Sequence, residues 1–78
     1  MTKIEAMKCE KLFNEAIRNA ETANEEFYKA GKCYDTTERH ILETKAWNHR
    51  GYAEGINQAL AVIGFRHERM LELGKLIS

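Results

Sequence analysis

The sequence predicts an all-α fold built on one antiparallel hairpin of two long helices. The 78 residues include no proline, and 44% are hydrophobic and 31% charged, a composition typical of long helices rather than of a loop-rich chain. Two capping-box patterns, starting at Thr2 and Asp35, indicate where the two helices begin. A chain this short buries little surface on folding, so we also expect it to gain stability from another chain.

The first helix is expected over residues of about 3–30. Thr2 and Glu5 have the spacing at which the hydroxyl and the carboxylate each accept a backbone N–H of the other residue. Apolar residues then recur at steps of three and four, which places them along one side of the helix. This first seam consists of Cys9, Phe13, Ala16, Ala20, Ala23, Phe27, Ala30 and Tyr34. Gly31 is suited to end the helix in a left-handed conformation.

A turn at about 31–35 leads into a second helix over about 36–63. Because the turn is short, the two helices must pack antiparallel. Folding the chain about Cys33 places Phe13 opposite Ala53, and a large residue opposite a small one lets two helices approach closely. The second seam consists of Leu42, Ala46, His49, Ala53, Ile56, Leu60 and Ile63.

The C-terminal segment, at about 65–77, is predicted to be helical, but its direction is open. Gly64 can break the chain so that the segment folds back as a short third helix. Alternatively, the second helix extends beyond the hairpin and meets another chain in a helical bundle. The apolar spacing through Ile63, Met70 and Ile77 keeps one heptad phase across Gly64 and favours extension.

The second helix also has a back face, on which Trp47, Gly51 and Gly55 project away from the hairpin seam. Glycine in mid-helix costs about 1 kcal/mol relative to alanine, so the pair requires a reason, such as the close approach of another helix. The alternative is two tolerated defects beside an isolated tryptophan. We expect a homo-oligomer or a docked host protein, and the predicted interface residues are Trp47, Gly51, Gly55, Val62, Phe65, Met70, Leu73 and Leu76.

Catalytic and metal-binding motifs are absent from the sequence. Ser78 is the only serine, and there is no glycine-rich phosphate loop. The three histidines, His40, His49 and His67, include no pair at the three- or four-residue spacing of metal ligands on one helix. We therefore predict that the chain is not an enzyme and needs no cofactor or metal.

Charge and hydropathy exclude further classes of partner. Twelve basic residues balance twelve acidic ones, so nucleic-acid binding is disfavoured. No apolar stretch approaches the ~18 residues of a membrane span, and we expect a cytoplasmic protein without membrane contact. One small-molecule alternative stays open. Trp47, Arg50 and Tyr52 could contact a nucleotide, but only in a pocket between subunits, since they spread around a single helix.

The run from Gly51 to Phe65 places a small residue, Gly-Ile, Ala-Leu and a final Gly-Phe in that order. In this it resembles the second helix of short phage and prophage proteins of unknown function, over about fifteen residues. The resemblance implies an accessory protein that counters host defence, either by binding and inhibiting a host protein or by sequestering a signalling nucleotide. It carries over no functional residue. The leading expectation is thus a protein-interaction module, and a nucleotide-sequestering oligomer is the alternative.

Overall fold

A computed structural model of residues 1–78 contains three helices and no strand. Helix α1 spans Lys3–Gly31, α2 spans Thr36–Val62 and α3 spans Met70–Ile77. Helices α1 and α2 pack along each other, and the molecule is a rod of 50 × 17 × 16 Å. The predicted all-α hairpin is confirmed, whereas assembly of copies into a bundle stays a prediction.

The two long helices begin at the capping residues that the sequence indicates. Thr2 Oγ1 accepts the Glu5 N–H at 3.1 Å, and the Thr2 N–H donates to Glu5 Oε1 at 3.2 Å. Hydrogen bonding with the Thr2 side chain holds the pKa of Glu5 below its ordinary value. At α2, Asp35 caps alone, because its carboxylate accepts the N–H groups of Thr37 and Glu38 without a reciprocal bond.

Helix α1 ends differently from the prediction. Gly31 does not adopt a left-handed conformation and belongs to the helix, which stops at Lys32 with φ −101°. The turn is held instead by Arg39, whose guanidinium donates to the Cys33 carbonyl at 2.7 and 3.2 Å. A side-chain bond from α2 thus takes the place of the glycine conformation that the sequence suggests.

Most of the hairpin core lies along the predicted seams, but the seam residues Tyr34 and Ile63 are exposed, and Ile17, outside the first seam, is buried. Phe13 is fully buried and belongs to the same cluster as Ala53, the residue that the register places opposite it. The first seam is rich in alanine, and Ala16, Ala20 and Ala23 are all buried. Small side chains on α1 allow the close approach of α2, so the larger side chains fill the space between the helices.

Helix α2 ends at Gly64 in a Schellman motif, which overturns the expectation that it continues. The Phe65 N–H donates to the Leu60 carbonyl at 2.9 Å, and the Gly64 N–H donates to the Ala61 carbonyl at 3.1 Å. Gly64 has φ +80°, a conformation that glycine adopts without steric cost. The chain therefore reverses, and α3 returns along the hairpin.

Helix α3 packs on both long helices. Leu73 and Ile77 are buried in the core, and the Asn24 side-chain amide donates to the Leu76 carbonyl at 3.1 Å. In the segment before α3, the His67 ring stacks on Phe13 with centroids 4.3 Å apart. Continuation would leave this apolar segment in water, whereas the reversed chain buries it.

Phe13→Ala should lower the free energy of unfolding by about 3–5 kcal/mol, since it removes a ring that α3 and both long helices surround. Urea denaturation followed by far-UV circular dichroism measures the change. Leu12→Ala is the matched control, because Leu12 is 42% exposed and its truncation should cost under about 1 kcal/mol. Equal losses for the two variants would contradict this description of the core.

Gly64→Ala should destabilise the fold by about 1 kcal/mol, because alanine at φ +80° is strained. Gly74→Ala is the control, since Gly74 is helical and a Cβ there meets nothing within 4 Å. That substitution should instead stabilise α3 by up to about 1 kcal/mol. Thermal denaturation of both variants gives the sign of each change in stability. A more stable Gly64→Ala variant would contradict the left-handed conformation of Gly64 at which the chain reverses.

Candidate interaction surface

The side of α2 that faces away from α1 is exposed along the whole helix. We call it the outer face. At 100° of rotation per residue, the side chains of the outer face fall within one sector of the helix. Every one of them is solvent-exposed. The outer face consists of Thr37, His40, Ile41, Thr44, Asn48, Gly51, Gly55, Gln58, Ala59 and Val62.

No residue of the outer face is charged. The six charged residues of α2 lie on its flanks or towards α1, and they are Glu38, Arg39, Glu43, Lys45, Arg50 and Glu54. His40, five helical turns before Gln58, is the one titratable residue within the sector. Helix α1, by contrast, carries charges on its outward side, among them Lys11, Arg18 and Glu25. The outer face is therefore an uncharged strip roughly 40 Å long, at about 1.5 Å per residue.

Gly51 and Gly55 lie on the outer face, and packing within the chain does not explain them. A Cβ built at either position meets no atom within 4 Å. Each glycine costs the helix about 1 kcal/mol relative to alanine. The chain's own packing thus neither requires a bare backbone at these two positions nor fills the space beside it.

An aromatic ring stands at each edge of the outer face. On one edge, Trp47 contacts Phe27 edge-on with ring centroids 5.1 Å apart, yet it stays 59% exposed. On the other edge, the Tyr52 hydroxyl lies 3.4 Å from Glu15 Oε2 and donates to it. Both rings are held by α1 while much of their surface faces water, which leaves them positioned for contact with a partner.

The three predicted nucleotide contacts do not meet on one chain. The Arg50 guanidinium lies over the Trp47 ring, 5.4 Å from its centroid, and also pairs with Glu54 at 3.2 Å. Tyr52 points away from Trp47 by about 140° around the helix. A pocket that contains all three would need a second subunit.

Half of the predicted interface residues are exposed on α2, and half are turned inward by the reversal at Gly64. Trp47, Gly51, Gly55 and Val62 are exposed. Leu73 is fully buried in the chain's own core, so it cannot contact a partner. The other C-terminal residues are half-buried against the chain's own core, so their contact with another chain stays a prediction; they are Phe65, Met70 and Leu76.

The contacts of two histidines, His49 and His67, could not be found from the sequence pattern. His67 accepts the Arg69 N–H on Nδ1 at 3.1 Å, and its Nε2 lies 3.6 Å from Glu10 Oε1. No periodic signal in the sequence pairs His67 with Phe13. His49 belongs to the predicted second seam, and its Nδ1 lies 2.6 Å from Glu26 Oε1. These histidines serve packing contacts, and nowhere do three potential metal ligands come together.

The largest cavity is an open groove of about 570 Å³ between α1 and the start of α3. Its walls carry both signs of charge, with Lys11 and Arg18 near Glu21. Arg69 is already engaged, because its guanidinium donates to Glu72 at 2.7 and 2.9 Å. These bonds hold the pKa of Glu72 below its ordinary value. The groove thus selects neither anions nor cations.

No family model, curated protein or solved structure matches this chain. None of its helices has the length and apolar character required to cross a membrane. The surface described above is therefore the basis for a functional assignment.

Proposed function

We propose that the chain is a small helical protein-interaction module that binds a partner through the outer face of α2. One observation carries the proposal: an exposed helix face as long as α2 has no charged residue in a chain that is 31% charged. Solvent-exposed helix faces ordinarily carry charged and polar residues. A face without charges is suited to being covered.

Burial of such a face avoids the cost of removing charged side chains from water. A charged side chain that leaves water without a partner is heavily penalised, whereas Thr44, Asn48 and Gln58 lose only neutral hydrogen bonds, which a partner can replace. Gly51 and Gly55 let a second backbone approach closely. Tryptophan and tyrosine are among the side chains that most often anchor interfaces, and one of each stands at the edges of the outer face.

The narrower role, inhibition of a host protein by a phage-type accessory protein, rests on the resemblance of residues 51–65 alone. In that role the outer face would cover the active site or binding site of the host protein. The nucleotide-sequestering alternative depends on a second subunit, because Tyr52 lies apart from Trp47 and Arg50. Protein binding is the function that the single chain supports directly.

Gln58→Cys should react with a thiol reagent several-fold more slowly than Thr22→Cys in a lysate of cells that produce the chain, because a partner shields the outer face. Both positions are exposed in the single chain and neither substitution removes a charge. Thr22 lies on the outward side of α1, away from the outer face. The background carries Cys33→Ser, and Cys9 is buried. Mass spectrometry measures the modified fraction over time.

Two controls define the outcome. In concentrated urea the two introduced thiols should react equally, which shows that any difference comes from the folded state. Equal rates in the lysate, and also in the purified chain at high concentration, would mean that nothing covers the outer face. The proposed function would then be wrong.

A further inference from the structure

The outer face has its smallest residues in the middle and larger ones towards its ends. Gly51 and Gly55 each lie two positions from Ala53, while Thr44 and Val62 each lie nine positions from it. A two-fold axis perpendicular to α2 at the level of Ala53 would exchange the members of each pair. The face is therefore complementary in shape to its own inverted copy.

We infer that the partner covering the outer face is a second copy of this chain, with the two α2 helices packed antiparallel about that two-fold axis. The inference rests on the proposed function and names its partner. Gly51 of each copy faces Gly55 of the other, and Thr44 faces Val62. Contact of bare backbone at the crossing brings the helices close, and the larger side chains pack on either side.

Charge complementarity points to a copy rather than to an unrelated helix. An ordinary surface helix has charged residues, and these would be buried against the outer face without a counter-charge. The matching surface must be uncharged where the two helices overlap, from Thr44 to Val62, and the chain itself supplies such a surface there. The outward side of α1, with Lys11, Arg18 and Glu25, does not match it.

The wider electrostatics also permit pairing of two copies. Twelve basic and twelve acidic residues give each chain no net charge, so two copies do not repel each other at long range. Near the crossing, the flanking charges on one side are Arg50 and Glu54, which already pair within the chain at 3.2 Å. Glu43 lies on the same flank, towards the start of α2. His40 lies on the face near the start of α2, about 20 Å from the crossing at about 1.5 Å per residue.

Disulfide formation between two variants tests the antiparallel register. Thr44→Cys and Val62→Cys, each in a Cys33→Ser background, are mixed and mildly oxidised. The mixture should give a cross-linked heterodimer. Neither variant alone should cross-link, because its two thiols would be about 27 Å apart along the pair of helices. The Cys33→Ser chain is the control and should stay uncross-linked.

Sedimentation equilibrium tests the second copy itself. The unmodified chain should dimerise, and Gly55→Leu should weaken dimerisation at least about tenfold with helix content unchanged, since a Cβ at Gly55 meets nothing within the chain. Gly74→Leu is the matched control, at an exposed helical glycine of α3 that also has free space. It should dimerise like the unmodified chain.

Each other outcome overturns a defined part of the inference. Cross-linking of each variant with itself would mean parallel helices, and equal dimerisation by Gly55→Leu would place the interface elsewhere. A chain that stays monomeric at every concentration, yet has the Gln58→Cys thiol protected in lysate, would exclude the second copy but leave the proposed function standing. If the chain stays monomeric and the Gln58→Cys thiol is also unprotected in lysate, both the second copy and the proposed function are wrong.

Discussion

The burial of Phe13 is the contact on which the rest of the fold depends. The ring comes from α1, lies in one cluster with Ala53 of α2, and is covered by Phe65 and His67 from the segment that follows the Schellman motif. A ring of this size fits between two long helices only because its neighbours along the seam are small. The alanine-rich seam is therefore what allows one residue to join all three parts of the chain.

The return of α3 decides which surfaces are free. By covering one side of the hairpin, α3 removes the apolar residues of the C-terminal segment from solvent, Leu73 completely. The Asn24 side chain, bonded to the Leu76 carbonyl, helps to keep it there. Without this helix the hairpin would expose part of its apolar core. With α3 in place, the uncharged helix face that stays exposed is the outer face of α2.

The core and the outer face both contain small residues. In the core, the alanines of α1 and the buried Ala46 and Ala53 of α2 let the two helices approach; on the outer face, Gly51 and Gly55 leave the backbone bare, and no atom of the chain fills the space. The core is completed within one chain, whereas the outer face is exposed to solvent. Small residues thus lie on two opposite sides of α2, and this is the physical basis of the proposal that a partner covers the outer face.

Local signals in the sequence determined the two long helices, their caps at Thr2 and Asp35, their antiparallel pairing and the exposure of Trp47, Gly51, Gly55 and Val62. Each depends on residues a few positions apart or on a short turn. The lack of charge on the outer face also follows from the sequence and the rotation of 100° per residue in a helix. The tertiary structure alone decided the direction of α3, since heptad phase across Gly64 is the same whether or not the helix continues. The reversal depends on burying Phe65, His67 and Leu73 against residues more than 50 positions earlier, such as Phe13. Local periodicity carries no information about contacts between residues so far apart in the sequence.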